Sequence, residues 1–444
     1  MQVSVETLND LERRVTVQIP AETFAKEIQD RMRSLSKTIR LDGFRQGKIP
    51  LKVINRLYGD QVRYEVIGKL VENSLQEALV QEKLRPLDGP KIEPKPLEEG
   101  QDFEYSATFE ILPEFEPTGF ENIQVERPVA EVTEQDVDDM IETLRQQRAV
   151  WSAVERPARE GDRIRVDFEG KINGEDFAGG KGDNTELVLG KSNLVKGFEE
   201  QLIGLSAGAE VAFDLTFPPD YHAVEVAGKV VHFQVKLHVV EESHPPEVDE
   251  SFIASFDVKE GGINALRQAL RDNMERELRN SIKARVKRQV MQGLLEANPF
   301  PLPQALVAAE IENLARQMQF PAKASDEKSQ QLKTQWFEAE ARRRVALGLL
   351  ISRLAAMQRI EVDGQRVRDH LESIAASYQD PAEVLSWYEK TPQAFDGVRA
   401  LVLEEQVVEW VLERARVSES PSTFAEIMNP VQPPAGSVQQ ESSE

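Results

Sequence analysis

A short basic stretch in an otherwise acidic chain is the first feature that can do chemistry. The chain has 444 residues and a formal net charge of -23, but between residues 31 and 56 a group of cations faces a single acid, Asp42. The cations are Arg31, Arg33, Lys37, Arg40, Arg45, Lys48, Lys52 and Arg56. Salt screens charges beyond about 8 Å in the cell, so distant acids hardly weaken this patch. The patch predicts docking on a phosphate-rich surface.

A glycine and proline loop, GFRQGKIP, lies in the middle of this basic stretch. Its glycines permit backbone conformations that are closed to other residues, and Pro50 stiffens its exit. Phe44 and Arg45 are then expected at the tip, where the guanidinium can grip a phosphate or a carboxylate. From these residues alone, a turn between two helices with incidental cations remains the alternative.

Composition and residue spacing argue against the other catalytic or metal-binding sites that the sequence suggests. The absence of cysteine excludes disulfides, thiolate zinc sites and cysteine nucleophiles. Lys181 follows a glycine run, but Gly182 stands where a phosphate-binding loop needs Ser or Thr, so we predict a flexible flap here. His232 and His238 share a face of one predicted strand, which favours solvated or core positions over a pair of metal ligands. No metal or cofactor is expected.

The elements that position the basic loop form a small α+β unit, residues 1–112. Residues 13–20 alternate as a strand does, and residues 21–39 have the periodicity of a helix. Pro50 suits the first turn of a second helix, which we expect to end near residue 83. Strand-like runs near 91–96 and 103–111 complete the unit.

Four further segments follow along the chain. Residues 113–150 are predicted to be a connector with a helix after Thr133, and residues 151–245 alternate as short strands with glycine turns. Residues 246–417 have helical periodicity, most clearly from Ile263 to Leu294. The acidic tail, 418–444, is rich in Pro, Ser, Gln and Glu and is predicted to be disordered.

The helical segment carries no catalytic signature. Its Met and Phe side chains either fill an ordinary helix core or line an adaptable surface for unfolded chains, because flexible thioethers tolerate varied partners. The candidates for such a surface are Met291, Met318, Phe320 and Met357.

Composition places the chain among globular proteins, with 40% apolar and 30% charged residues. No run approaches the roughly 20 apolar residues of a membrane span. The first residues, MQVSVETLND, lack the basic start and apolar core of a secretory signal. We therefore expect a cytoplasmic protein that does not contact a membrane.

The basic loop resembles the ribosome-docking signature of the trigger factor family, Gly-Phe-Arg-x-Gly-x-x-Pro. The positions that carry the resemblance, with the adjacent lysine, are Gly43, Phe44, Arg45, Gly47, Lys48 and Pro50. It implies binding to a protein of the large ribosomal subunit at the tunnel exit and to adjacent ribosomal RNA. The surrounding cations would attract that RNA in a salt-sensitive way.

The middle block resembles the FK506-binding class of prolyl isomerase. The matching segments read VDFEG, GEDF, LGKSNLVKGFE and FPPDY. The resemblance implies an apolar pocket formed by Phe168, Phe177, Leu194, Val195, Phe198, Tyr221 and Phe233. Ala178 and Ala223 stand where simple members carry an acid and an aromatic, so tight inhibitor binding is not implied.

The implied chemistry needs no acid, base or metal. Rotation of an X–Pro amide loses C–N double-bond character, against a barrier of about 20 kcal/mol. A dry aromatic pocket favours the less polar twisted amide and holds the proline ring while the flanking chain turns. The alternative is that these aromatic side chains simply fill a small β-core.

The order of segments identifies the chain as a member of the trigger factor family. The resemblance implies a multidomain α+β protein, with an N-terminal α+β ribosome-docking domain, an FKBP-like antiparallel β domain with a short helix, and an all-α C-terminal domain. It also implies an ATP-independent chaperone for nascent and unfolded polypeptides, partly ribosome-associated, which forms a homodimer off the ribosome. Two alternatives are a free FKBP-type isomerase and an RNA-binding regulator that ignores Phe44.

Overall fold

The computed structural model describes residues 1–429 with internal gaps. The gaps are 42–43, 45–48, 97–100, 192–194, 196, 220, 222, 224–225, 257, 259, 321–326 and 377. The side chains at 178, 327 and 328 are also outside the description. The chain forms two compact units, and each joins segments that are distant in sequence: Met1–Arg127 with Ala284–Glu419, and Pro128–Lys283 with Ser420–Glu444.

The described part contains both strands and helices. In chain order the strands are β1 (Gln2–Thr7), β2 (Glu12–Ile19), β3 (Lys91–Pro94), β4 (Phe103–Glu110), β5 (Gln124–Val129), β6 (Val150–Ala153), β7 (Arg163–Ile172), β8 (Glu175–Val188), β9 (Glu210–Thr216), β10 (Val230–His244) and β11 (Arg416–Pro421). The helices are α1 (Ala21–Thr38), α2 (Leu51–Gln81), α3 (Glu134–Gln147), α4 (Glu250–Ala254), α5 (Gly262–Ala297), α6 (Gln304–Gln317), α7 (Glu327–Gln358), α8 (Gly364–Ala375), α9 (Pro381–Lys390), α10 (Pro392–Leu412) and α11 (Phe424–Met428).

The first unit begins with an antiparallel sheet in the order β1-β2-β4-β3. Val15, Val17 and Ile19 of β2 point inward and pack with Phe103 and Tyr105 of β4, as the alternating sequence predicts. The two predicted helices, α1 and α2, are confirmed. Sequence reasoning missed β1, because nearly all of its side chains are exposed and its sequence lacks a buried face.

Helices α6 to α10 belong to the same unit as this sheet. The first part of the connector, residues 113–127, is fixed to the helical part of the unit, because the Phe115 ring stacks on Phe300 at a centroid distance of 4.1 Å. The buried Asn298 side chain accepts the N–H of Thr118 at 2.8 Å and donates to its carbonyl at 3.1 Å. These contacts hold distant segments of the chain together.

In the second unit, α3 begins with the capping box predicted at Thr133, whose side chain accepts the Asp136 N–H. Val137 and Ile141 of α3 pack with Met274 of α5 and with Phe424 of α11. The prediction that the chain is disordered from residue 418 is therefore wrong for 418–429, where β11 ends and α11 lies. A capping box, the pairing of β11 with β5, and the apolar side chains of Phe424 and Ile427 order this segment despite its polar composition.

The second unit also contains a five-stranded antiparallel sheet in the order β6-β10-β7-β8, with β9 beside β10. Ile164, Val166, Val231 and Leu237 are fully buried on one face of this sheet. The predicted flap at Lys181 is wrong, because Gly179 to Gly182 lie within β8, where Lys181 and Gly182 pair with Glu169 and Phe168 of β7. Close packing of the Phe177 and Phe168 rings requires glycine at 180 and 182, and Gly179 has a φ of 84°, which favours glycine.

Candidate functional site

The isomerase residues predicted from the sequence come together in the five-stranded sheet. One apolar cluster contains all of those in the described part: Phe168, Phe177, Val195, Phe198, Tyr221 and Phe233. Leu194 lies outside the described residues. Strands β7, β8 and β10 each supply one aromatic side chain, and Val195, Phe198 and Tyr221 join the cluster from outside the strands.

This cluster has a buried floor and a partly exposed rim. Phe198, Phe217 and Phe233 are 4–5% exposed, and the Phe198 ring meets Phe233 edge-on at a centroid distance of 5.1 Å. Phe168 and Tyr221, which are only partly buried, pack against this floor. Edge-to-face rings form a firm apolar surface without placing any polar atom in it.

A tight turn places Phe198 on the floor. The Phe198 N–H donates to the Val195 carbonyl at 3.0 Å, and Gly197 between them has a φ of 97°. Only glycine adopts this conformation readily, so the glycine of the LVKGFE segment is a requirement of the turn. The chain then enters a single 3-10 turn, Glu199–Gln201.

Two glycines let aromatic rings lie directly against the strands. A Cβ atom at Gly170 would lie 2.7 Å from Cε1 of Phe233, and one at Gly182 would lie 2.5 Å from Cε1 of Phe168. Real Cβ atoms do not approach so closely, so any larger residue would displace the ring. The glycines of β7 and β8 thus determine where two pocket rings can lie.

Asp167, Asp214 and His232 each alternate with a pocket aromatic along their strand, so their side chains lie on the opposite face of the sheet. The pKa of the Asp167 carboxyl is lowered, first by the backbone N–H of Asn184 and then by His238. His232 Nδ1 lies 2.7 Å from Asp214 Oδ1 in a second, exposed histidine–carboxylate pair. Among the described residues, no group of three or more His, Cys, Asp or Glu could hold a metal ion.

Sequence reasoning missed two members of the aromatic cluster, Phe213 and Phe217. Phe213 lies directly opposite Phe233 in the pairing of β9 with β10, and its ring is 5.4 Å from that of Phe198. Phe217 stands 4.9 Å from Tyr221, edge to face. The alternation Val211, Phe213, Leu215, Phe217 was the signal that could have found them.

The docking loop is described only in part. Phe44 is 41% exposed, while Ile49 is 5% exposed and packs with α1 and α2. Pro50 is the residue before the first turn of α2. Gly43, Arg45, Gly47 and Lys48 lie outside the described residues. The exposed ring of Phe44 is what we expect of a residue at the tip of the loop.

Part of the predicted basic patch is neutralised by neighbouring acids. Arg31 pairs with Glu65 at 2.7 Å, and Arg33 pairs with Asp30 at 3.4 Å. Within the described part of the chain, Lys37, Lys52 and Arg56 form no ion pair, so they remain available to an external anion. No helix of the described residues is long and apolar enough to cross a bilayer.

Family models match three parts of the chain. The model for the bacterial trigger factor protein (TF) matches residues 1–144, and that for its C-terminus matches 262–413. The model for FKBP-type peptidyl-prolyl cis-trans isomerase matches 154–238. The trigger factor of Thioalkalivibrio sulfidiphilus is 46% identical over 430 residues, which cover 97% of this chain and 98% of that protein. The chain belongs to the trigger factor family.

A second trigger factor, from Alkalilimnicola ehrlichii, is 46% identical over 445 residues, with 100% of this chain and 99% of that protein covered. A solved structure of the trigger factor chaperone matches with a TM-score of 0.52 at 18% identity, over 93% of this chain and 99% of that one. The multidomain α+β fold is confirmed. The chain is a ribosome-associated chaperone with peptidyl-prolyl isomerase activity, as the sequence predicted.

Proposed function

We propose that this member of the trigger factor family divides its function among three surfaces. The loop around Phe44 docks on a protein at the exit of the large ribosomal subunit, and the cations near it bind adjacent ribosomal RNA. The helical part of the first unit holds nascent chains without ATP. The aromatic cluster of the five-stranded sheet rotates X–Pro bonds. We further propose a cytoplasmic location and a homodimer away from the ribosome.

The buried ring of Phe198 supports the isomerase assignment. It contacts Phe168, Phe213 and Phe233 at centroid distances of 6.0, 5.4 and 5.1 Å, so a proline ring placed on it would meet the apolar faces and edges of these rings. Loss of amide resonance lowers the polarity of the bond, and a dry surface favours that twisted state. The residues proposed to act on the substrate are Phe168, Phe177, Leu194, Val195, Phe198, Tyr221 and Phe233.

The exposure of Phe44 supports the docking assignment. An aromatic ring that is 41% exposed offers a partner protein apolar area, while buried Ile49 anchors the loop behind it. The cations Lys37, Lys52 and Arg56 in the same helical hairpin suit phosphate contacts. We assign ribosome contact to Gly43, Phe44, Arg45, Gly47, Lys48 and Pro50.

Exposed apolar side chains near the ends of helices support the client assignment. Met318 after α6 is 70% exposed and Met357 in α7 is 40% exposed. Phe320 packs edge-on against Trp336, which is itself 65% exposed. Met291, predicted as a fourth candidate, is wrong for this role because it is 2% exposed. Its place on α5 makes it helix core.

Co-sedimentation with 70S ribosomes tests the docking proposal. The variant Phe44→Ala, Arg45→Ala, Gln46→Ala should lose most of its ribosome binding and keep its isomerase rate on a short X–Pro peptide. Val80→Ala, at a 75% exposed position on α2, is the matched control and should bind normally. Unchanged binding of the triple variant would overturn the docking assignment.

An RNA-binding regulator would behave differently when its binding to naked RNA is measured beside its binding to ribosomes. It should bind naked RNA with a steep dependence on salt, because each phosphate contact releases counterions. Its RNA affinity should be indifferent to Phe44. Ribosome binding that requires Phe44, with weak binding to naked RNA, supports a protein docking site.

A further inference from the structure

Strand β8 contains a bulge immediately beside the pocket. Val166 of β7 pairs with Thr185, and Phe168 pairs with Gly182, so that Asp183 and Asn184 together face the single residue Asp167. Asn184 has a φ of 51°, in the left-handed region that asparagine tolerates better than most residues. A bulge leaves a backbone group without its ladder partner and redirects the neighbouring side chains.

The carboxylate of Asp167 supplies the missing partner. Its Oδ1 accepts the backbone N–H of Asn184 at 2.6 Å. Its Oδ2 accepts a hydrogen bond from Nε2 of His238, also at 2.6 Å. His238 itself occupies an irregularity of β10, since the register with β7 shifts between Leu237 and Val239. The Asp167 side chain therefore hydrogen-bonds to both neighbouring strands, at the position in each where the pairing register is irregular.

Asp167, which makes both of these hydrogen bonds, directly precedes the pocket aromatic Phe168. The bulge ends at Gly182, against which the Phe168 ring lies, with no space for a Cβ atom. If Asn184 lost its partner, the bulge could relax and Gly182 would move relative to the ring. A charge partner for Asp167 does not by itself explain why its carboxylate binds the bulge, because Lys236 of β10 already lies directly opposite it.

We propose that Asp167 is a positioning residue for the isomerase reaction, which holds the β8 bulge so that Gly182 keeps Phe168 in the pocket. It acts through Phe168 and does not touch the substrate, because its side chain lies on the other face of the sheet. This proposal rests on the proposed role of the aromatic pocket.

Isomerase kinetics of the full chain on an X–Pro peptide test the proposal. Asp167→Ala should lower kcat/KM roughly tenfold, as misplacement of a reacting group by a fraction of an ångström does. Asp167→Asn keeps an acceptor for the Asn184 N–H and should restore most of the rate. Asp214→Ala removes the other exposed histidine–carboxylate pair of the sheet, which lies at no bulge, and should leave the rate unchanged.

A double-mutant cycle separates positioning from general stability. Gly182→Ala should lower the rate by itself, and Asp167→Ala should then cost little more, because both changes displace Phe168. Additive effects, an Asp167→Ala rate equal to that of Asp214→Ala, or no rescue by Asp167→Asn would each overturn the proposal. Phe198→Leu tests the pocket assignment on which this proposal rests. If that variant keeps full activity, the pocket assignment itself is wrong.

Discussion

The carboxylate of Glu110 accepts the backbone N–H of Gln304 at 3.0 Å across 194 residues of sequence. Its second oxygen accepts the N–H of Ala305 at 2.8 Å. Helix α6 begins after Pro303, which has no side-chain acceptor of its own. The last residue of a strand in the N-terminal sheet therefore caps a helix of the C-terminal segment. This contact joins the two parts of the first unit.

Replacement of Glu110 by Ala should destabilise the first unit by about 1 kcal/mol, the usual cost of losing a helix cap. Urea unfolding followed by tryptophan fluorescence measures this change, in a Trp151→Phe background so that only Trp336, Trp387 and Trp410 of the first unit report. Glu104→Ala is the matched control on the same strand, since it removes only a surface ion pair with Lys95. Equal midpoints for the two variants would show that the cap contributes nothing.

Phe198→Ala should nearly abolish isomerisation of X–Pro peptides, because it removes the ring that joins the floor of the pocket. The same change should destabilise the isomerase sheet by about 3–5 kcal/mol through the cavity it leaves. Phe198→Leu keeps more of the volume and should fold, yet it should still lose most of the rate. A near-normal rate in the folded Leu variant would contradict the assignment.

Gly170→Ala should reduce the isomerase rate, because the new methyl group would lie 2.7 Å from the Phe233 ring and 3.1 Å from Cγ1 of Val231. The measurement is kcat/KM for a short peptide. Gly68→Ala in α2 is the control, since a Cβ there meets nothing within 4 Å and should add up to about 1 kcal/mol of helix stability. If Gly170→Ala is as active as the control, the ring does not need its present position.

The isomerase sheet should lose stability in acid through Asp162, which is 4% exposed. Burial opposes ionisation of this carboxyl, but hydrogen bonds from Arg156 and the Arg159 backbone outweigh it and lower the pKa. A lowered pKa contributes stability at neutral pH, which is lost as pH falls below about 4.

Asp162→Asn should therefore be less stable than wild type at pH 7, by about 3 kcal/mol, and should change less between pH 7 and pH 3. Urea midpoints across that range provide the measurement. Asp214→Asn, at an exposed pair, should follow the wild-type pH dependence. If the stabilities of Asp162→Asn and wild type change with pH in parallel, Asp162 is not the source of the stability that is lost in acid.

The double variant Met318→Ser, Trp336→Ser should bind an unfolded client protein more weakly, because it lacks two exposed apolar side chains of the helical segment. Light scattering of a diluted, denatured protein measures client aggregation. Val80→Ser removes a comparably exposed apolar residue from α2 and should have no effect. Ribosome co-sedimentation should be normal in both variants, and an unchanged client delay would refute the surface.

Much of the fold follows from local sequence pattern. Alternation in β2 and β4 and the helical period of α5 predicted those elements, because the side chains of one face must be buried together. The capping residues Thr133 and Asp136 predicted the start of α3 for a purely local reason. The polar segment 418–429 escaped prediction, since its order comes from Phe424 packing on residues that are distant in sequence.

For the site, the sequence by itself determined the residue types: an aromatic set at family spacing, and a loop with Phe44 at an expected tip. Only the tertiary structure decided that Phe213 and Phe217 complete the cluster, that Met291 is core, and that the glycines of β8 support rings instead of forming a flap. It alone placed Asp167 against the bulge and Glu110 at the start of α6. Each of these depends on which strands and helices become neighbours, and a single chain's local periodicity does not contain that information.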